Sequence, residues 1–185
     1  MIASLTGILA ERDGERVVVQ TDGGVGYAVS VPLGVFERLP QRGARCALHT
    51  ELVVREDAWT LYGFDSVTER AIFQRLLGAS GLGPKLALAI LSTLGPDRAV
   101  RSIQGKDVAA LSTVPGIGRK RAEKLIVELS DRFGDLPASV NLGPARTADE
   151  ASRALGALGY SPVVADEAVR AAIAAGAGDD VATLV

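Results

Sequence analysis

Gly81-Leu82-Gly83-Pro84-Lys85 and, 35 residues further on, Gly116-Ile117-Gly118-Arg119-Lys120 are two versions of one turn. The match continues upstream, where Phe73, Leu76 and Ala79 fall on Val108, Leu111 and Val114, and downstream, where Ala87 and Ile90 fall on Ala122 and Leu125. Repetition of this kind marks one supersecondary unit used twice, here helix, tight turn, helix. Two glycines around one apolar residue allow a turn whose apolar side chain plugs the core while backbone N–H groups face outward. Those donors lie at the positive end of a helix dipole, where a phosphate oxygen is bound without any base contact. Lys85 and Lys120 add charge two residues past each second glycine, and Arg119, Arg121 and Lys124 strengthen the second copy. The expected phosphate-binding set is Gly81, Gly83, Lys85, Gly116, Gly118, Arg119, Lys120 and Arg121.

A single Gly-x-Gly before a helix is an ordinary interhelical turn, so the second copy and its matching lysine carry the phosphate reading. Charge distribution supports it. Residues 1–63 carry 6 basic and 8 acidic side chains, residues 64–134 carry 11 and 7, and residues 135–185 carry 3 and 7, giving −2, +4 and −4. A polyanion is drawn to the middle segment, because phosphate contacts by Lys and Arg release condensed counterions. Neither turn continues as a nucleotide site. Gly83-Pro84-Lys85-Leu86 lacks the Gly-Lys-Ser/Thr of a P-loop, and no third glycine completes a dinucleotide fingerprint. Intrinsic ATP hydrolysis and a bound cofactor are therefore not expected.

Ahead of the repeat, apolar spacing changes from helical to alternating. Strands are expected at Leu5 to Leu9, Arg16 to Thr21, Val25 to Val31, Arg45 to Val54 and Ala58 to Gly63, with a short helix at Leu33 to Leu39. Asp13-Gly14 and Asp22-Gly23-Gly24 supply turns with positive φ. Five antiparallel strands with a helix after the third suit a small OB-type barrel. Behind the turns, helical spacing runs through Ile72, Phe73, Leu76 and Leu77, then Leu86 to Leu94, then Val108 to Leu129, and Gly95-Pro96-Asp97 ends one helix before the next.

Beyond Phe133 the run Gly134 to Gly143-Pro144 collects breakers and loses periodicity, as a flexible linker does. Helical spacing resumes from Glu150 to Leu158 and, after Gly159-Tyr160, from Ser161-Pro162 to Ala174. That small, acidic, Ala-rich bundle carries no chemistry and reads as a protein-docking module, with an inert tail as the alternative. The expected organisation is thus a five-stranded OB-type barrel at 1–63, an all-α tandem helix-hairpin-helix domain at 64–134, a linker at 135–148 and a small helical domain at 149–185.

With 48% hydrophobic and 23% charged residues the chain is an ordinary folding sequence rather than a disordered one. It lacks an apolar run long enough to span a membrane, and Met1-Ile2-Ala3-Ser4-Leu5 does not read as a signal peptide, so a cytoplasmic protein is expected. Cys46 and His49 are too few soft ligands for a zinc site and read as packed and surface strand residues, so no metal is expected.

Taken together these residues resemble the RuvA family, bacterial proteins that bind Holliday junctions for branch migration. The likeness covers nearly the whole chain. Beyond the turns it includes Gly24-Val25-Gly26-Tyr27, Val53-Val54-Arg55-Glu56-Asp57-Ala58, Leu61-Tyr62-Gly63-Phe64 and Leu158-Gly159-Tyr160. The resemblance implies a barrel that forms a homotetramer, a middle domain that grips four-way junction DNA, and a third domain that docks the hexameric RuvB ATPase through Leu155, Leu158, Tyr160, Val164 and Ala168. One tetramer or two face to face would hold the junction, with the RuvC resolvase as a further partner. It implies that Glu56 and Asp57, with Arg55 adjacent, form an acidic pin where the junction strands cross. From the residues alone, Arg55-Glu56-Asp57 is a charged hairpin tip, and such tips are usually just solvated. On this view the chain is a non-catalytic, sequence-neutral DNA-binding subunit acting in recombination and in repair of DNA damage as part of the SOS response.

The segment Asp179 to Val185 stops short of the longer basic-apolar last helix expected of the family, which weakens the expected RuvB contact more than DNA binding. A rival class is the DNA repair glycosylases and lyases, which use a Pro-Gly-Ile/Val-Gly-x-Lys hairpin with Lys120 in the place of a nucleophile. Such enzymes need a carboxylate about one helix further on, where Asp131 and Asp135 are poorly placed, and a larger helical domain to receive a flipped base. A third reading is a DNA tether with no junction preference.

Overall fold

Ser4–Asp13 (β1) carries Leu5, Gly7 and Leu9 inward on alternate residues, and the neighbouring strand comes so close there that only glycine fits at position 7. A Cβ on Gly7 would lie 2.1 Å from the Gln20 carbonyl oxygen. One strand serves two neighbours. Its first half pairs with Arg45–Val54 (β4) and its second half with Arg16–Gln20 (β2). With Gly26–Ser30 (β3) and Trp59–Phe64 (β5) the strands close as a barrel in the order β1-β2-β3-β5-β4. This computed structural model describes residues 2–133, together with 155, 164, 168, 169, 171 and 172.

All five strands and the intervening helix Leu33–Arg38 (α1) fall where the alternation predicts, and the architecture is the OB-type barrel. Two details differ. The pairs are not all antiparallel, since β3 and β5 run parallel through Val29 with Leu61 and Ser30 with Tyr62. Alternating directions cannot close around a ring of five, so one pair must be parallel. The third strand is also shorter than expected: Val25 lies outside it, exposed, and its carbonyl accepts from the Thr21 amide and hydroxyl in the β2–β3 turn.

The barrel core is Leu5, Leu9, Val17, Val19, Val29, Val31, Cys46, Leu48 and Leu61, plugged at one end by Val35 of α1. Arg12 fastens α1 to the barrel by donating to the Phe36 and Pro40 carbonyls while lying 4.4 Å from the centre of the Phe36 ring.

The helices that follow are Val67–Leu77 (α2), Pro84–Gln104 (α3), Val108–Ser112 (α4) and Arg119–Phe133 (α5). Within α3 the helical path breaks at Gly95 (φ 68°, ψ 165°) ahead of Pro96, so the breakers act where the sequence places them. Ser66 caps α2 by accepting from the Glu69 amide at 3.0 Å. The end of α5 is held by side chains from its neighbours, Arg75 donating to the Arg132 carbonyl and Gln104 to that of Phe133.

The end of β5 packs against the helices. Phe73 of α2 stacks within 5.0 Å of both Tyr62 and Phe64 at the end of β5, and both Phe64 and Phe73 are fully buried. Polar ties complete the joint. The Ser92 hydroxyl accepts from the Leu33 amide and donates to Glu15, Arg70 donates to the Ala3 carbonyl, and Gln74 donates to Glu51. Met1–Val140 accordingly form one compact unit and Asn141–Val185 a second. The linker expected at 135–148 and most of the expected C-terminal helices lie outside the described residues. Among the described residues, no helix is long and apolar enough to cross a membrane.

Candidate nucleic-acid interface

The two glycine turns are the same object, bond for bond. In the first, Gly78, Ala79 and Leu82 donate to Arg75, Leu76 and Ala79, and both Leu86 and Ala87 donate to Gly83. In the second, Thr113, Val114 and Ile117 donate to Ala110, Leu111 and Val114, and both Arg121 and Ala122 donate to Gly118. Gly81 and Gly116 take φ of 79° and 85°, the left-handed region that favours glycine. Leu82 and Ile117 are the buried plugs. The amides of Gly83 and Lys85, and those of Gly118, Arg119 and Lys120, are not used by the turn's own bonds, so each turn presents N–H donors outward at the start of α3 or α5.

The cationic side chains divide into two kinds. Lys85 and Lys120 are exposed and have no ion-pair or hydrogen-bond partner among the described residues, leaving both ammonium groups available to an anion. Arg119, by contrast, pairs with Glu123 at 3.1 Å, and Lys124 with Glu128 at 3.5 Å, both one helical turn away. Glu128 also accepts from the Ser80 amide of the first turn. Arg121 donates to the Gly116 carbonyl at 3.2 Å and, across to the other turn, to the Gly81 carbonyl at 2.7 Å. The sequence could not separate these roles, because each depends on where a long side chain finds an acceptor.

The hairpin tip Arg55-Glu56-Asp57 joins β4 to β5, closed by the Arg55 amide donating to the Ala58 carbonyl at 2.9 Å. Arg55, Glu56 and Asp57 are all exposed. The packing of β5 on α2 places this tip beside the first turn. A cleft of about 480 Å³ is lined by Arg55, Asp57 and Tyr62 on the barrel side and by Gly83, Pro84 and Lys85 on the other. A Cβ on Gly83 would stand 3.4 Å from the Arg55 guanidinium. Arg55 therefore lies against the first turn and adds a second cation beside Lys85, a role its position next to two acids conceals in the sequence. Burial pushes the Tyr62 phenol up, with Arg55 and a hydrogen bond with Thr60 pulling the other way. Burial likewise pushes the Cys46 thiol up, so this cysteine packs inside the barrel in its neutral form. Among the described residues, no group of His, Cys, Asp and Glu side chains is arranged to hold a metal ion.

Comparison with known proteins places the chain in a family. Residues 1–63 match the RuvA N terminal domain, residues 73–131 the SAM-like helix-hairpin-helix tandem and residues 147–185 the RuvA C-terminal domain. The chain is 50% identical to the Holliday junction branch migration complex subunit RuvA of Gemmatimonas aurantiaca, covering 100% of this chain and 95% of that one. The chain belongs to the RuvA family. Proteins of the same name from Pseudomonas syringae pv. syringae and Laribacter hongkongensis are 46% and 45% identical, over 92% and 99% of this chain and 90% and 94% of theirs.

Of the residues that the RuvA resemblance assigns to partner docking, Leu155 is buried, whereas Val164 and Ala168 are exposed. Leu158 and Tyr160 lie outside the described residues.

Proposed function

We propose that this RuvA-family chain is the DNA-binding scaffold of a branch migration complex, holding a Holliday junction by its phosphates without reading sequence. The observation that carries the reading is the pair of identical turns, each with outward amides and an unpaired lysine. Phosphate contacts fix position but hold no sequence code, so binding through Gly81, Gly83 and Lys85 and through Gly116, Gly118 and Lys120 is sequence-neutral. Arg119 and Arg121, each engaged within the protein, take secondary parts in this set. Arg55 joins it from the barrel side.

Junction preference comes from arrangement rather than from the turns. In a homotetramer, four hairpin tips bearing Glu56 and Asp57 meet near the centre, as an acidic pin. A phosphate about 4 Å from a carboxylate is disfavoured by about 1 kcal/mol in water and by more in a partly dry interface. Such repulsion parts the strands while the flanking turns hold the arms. The C-terminal domain docks the RuvB ATPase, in which ATP is hydrolysed; this subunit is non-catalytic and works in the cytoplasm. One or two tetramers, and the RuvC resolvase, complete the assembly.

The test is competition binding with a four-way junction, a linear duplex of matched length and a duplex bearing an abasic site, at several salt concentrations. The junction is expected to win at every salt concentration, whatever its arm sequences. Equal affinity for junction and duplex overturns the reading, and borohydride trapping of the abasic strand at Lys120 would replace it with a lyase.

A further inference from the structure

The 35-residue repeat pairs Arg121 with Leu86, the third residue of its helix in each copy. These two positions reach across to the opposite turn. The Leu86 Cδ1 lies 3.5 Å from where a Cβ on Gly116 would be, and the Arg121 guanidinium donates to the Gly81 carbonyl at 2.7 Å. The two hairpins thus approach each other reciprocally, through an apolar side chain in one direction and a hydrogen bond in the other. Arg121 does more than its counterpart, because a second nitrogen donates to the carbonyl of its own turn at Gly116, 3.2 Å away.

From this geometry we infer that Arg121 is a positioning residue that fixes the spacing of the two turns, so that they take two DNA phosphates as one preorganised unit. The inference rests on the reading of both turns as phosphate clamps. A planar guanidinium sends two N–H groups in fixed directions to two acceptors, which a lysine ammonium does not reproduce. The guanidinium also neutralises the first-glycine carbonyl of each turn, whose partial negative charge would oppose an approaching phosphate. Once the first phosphate is held, the second meets its clamp at a high effective concentration, and that advantage is lost when the spacing is free to vary.

The test uses the full-length protein and a four-way DNA junction. Arg121→Lys keeps the charge and removes the two-point contact. It is expected to bind about tenfold more weakly, roughly the value of one charge-assisted hydrogen bond, with the slope of log affinity against log salt unchanged. Lys85→Gln and Lys120→Gln, made singly and together, give a readout that fold stability does not move. With Arg121 present, the product of the single fold-losses exceeds the loss in the double variant. With Arg121→Lys, product and double loss coincide.

Wild-type affinity for Arg121→Lys overturns the inference, as does the same relation between single and double losses in both backgrounds. If instead the lysine changes leave the salt slope unchanged, the clamp reading fails and takes this inference with it. A slope that falls with the lysines while Arg121→Lys binds normally overturns the positioning role alone.

Discussion

Glu69 is almost fully buried at the joint between barrel and helices, and its carboxyl is held up to about 8 from an ordinary 4.5. Burial is the largest cause, followed by the hydrogen bond with Asp65 and then the charge of Asp65, while Arg38, 3.7 Å away, opposes them. Arg38 itself is committed to Asp65 through its Nε. At neutral pH the Glu69 carboxyl therefore keeps its proton in the folded protein, whereas in the unfolded chain it is ionised.

The sign follows. Below pH 4.5 both states are protonated and Glu69 contributes no pH dependence. Between 4.5 and about 8 the folded state alone holds the proton, so stability falls as pH rises, and above about 8 it levels off. At about 1.4 kcal/mol per pH unit, the whole window costs about 3 to 5 kcal/mol. That is a large share of the roughly 5 to 15 kcal/mol that holds a domain folded. Glu69→Gln imitates the protonated carboxyl, with an amide able to donate to Asp65. Urea unfolding followed by circular dichroism at pH 5, 6.5 and 8 is expected to show the two proteins within about 1 kcal/mol at pH 5, and the Gln variant ahead by about 3 kcal/mol or more at pH 8. A difference independent of pH, or a wild type more stable at pH 8, refutes the reasoning.

Gly116→Ala meets open space apart from the Leu86 methyl at 3.5 Å, so its cost is that of a left-handed alanine, about 1 to 2 kcal/mol in urea unfolding, together with weaker junction binding as the turn amides shift. Phe73→Ala empties the core shared with Tyr62 and Phe64 and is expected to cost about 3 to 5 kcal/mol, with barrel and helices loosening in one transition by circular dichroism. Glu56→Gln with Asp57→Asn removes the repulsion at the hairpin tip; junction affinity stays level or tightens in a gel-shift titration, and a clear loss contradicts a repulsive pin.

Local chemistry was legible in the sequence. Positive φ strongly favours glycine, so Gly81 and Gly116 announce their turns, and Gly95-Pro96 announces the break in α3. Alternation located the barrel strands because one face of each is buried. Pairings made over distance were not legible. The parallel β3–β5 ladder follows from closing a ring, a property of the whole sheet. Ser66-Val67-Thr68-Glu69 has the spacing of a capping box, which places the acid on a helix surface, yet Glu69 turns inward to Asp65 and Arg38. Arg121 reads as one more surface cation, and only the fold brings it to Gly81, 40 residues away in sequence. The same holds for Arg55, which the packing of barrel on helices sets against Gly83.

The salt dependence of junction binding by wild type, Lys85→Gln, Lys120→Gln and the double variant tests the paired clamps most directly. Each lysine that neutralises a phosphate contributes about 1 to the slope of log affinity against log salt for each protomer's contact. Either single change is expected to lower the slope by a similar amount, and the double change by the sum. Unchanged slopes, or a drop confined to one lysine, would contradict two equivalent phosphate clamps.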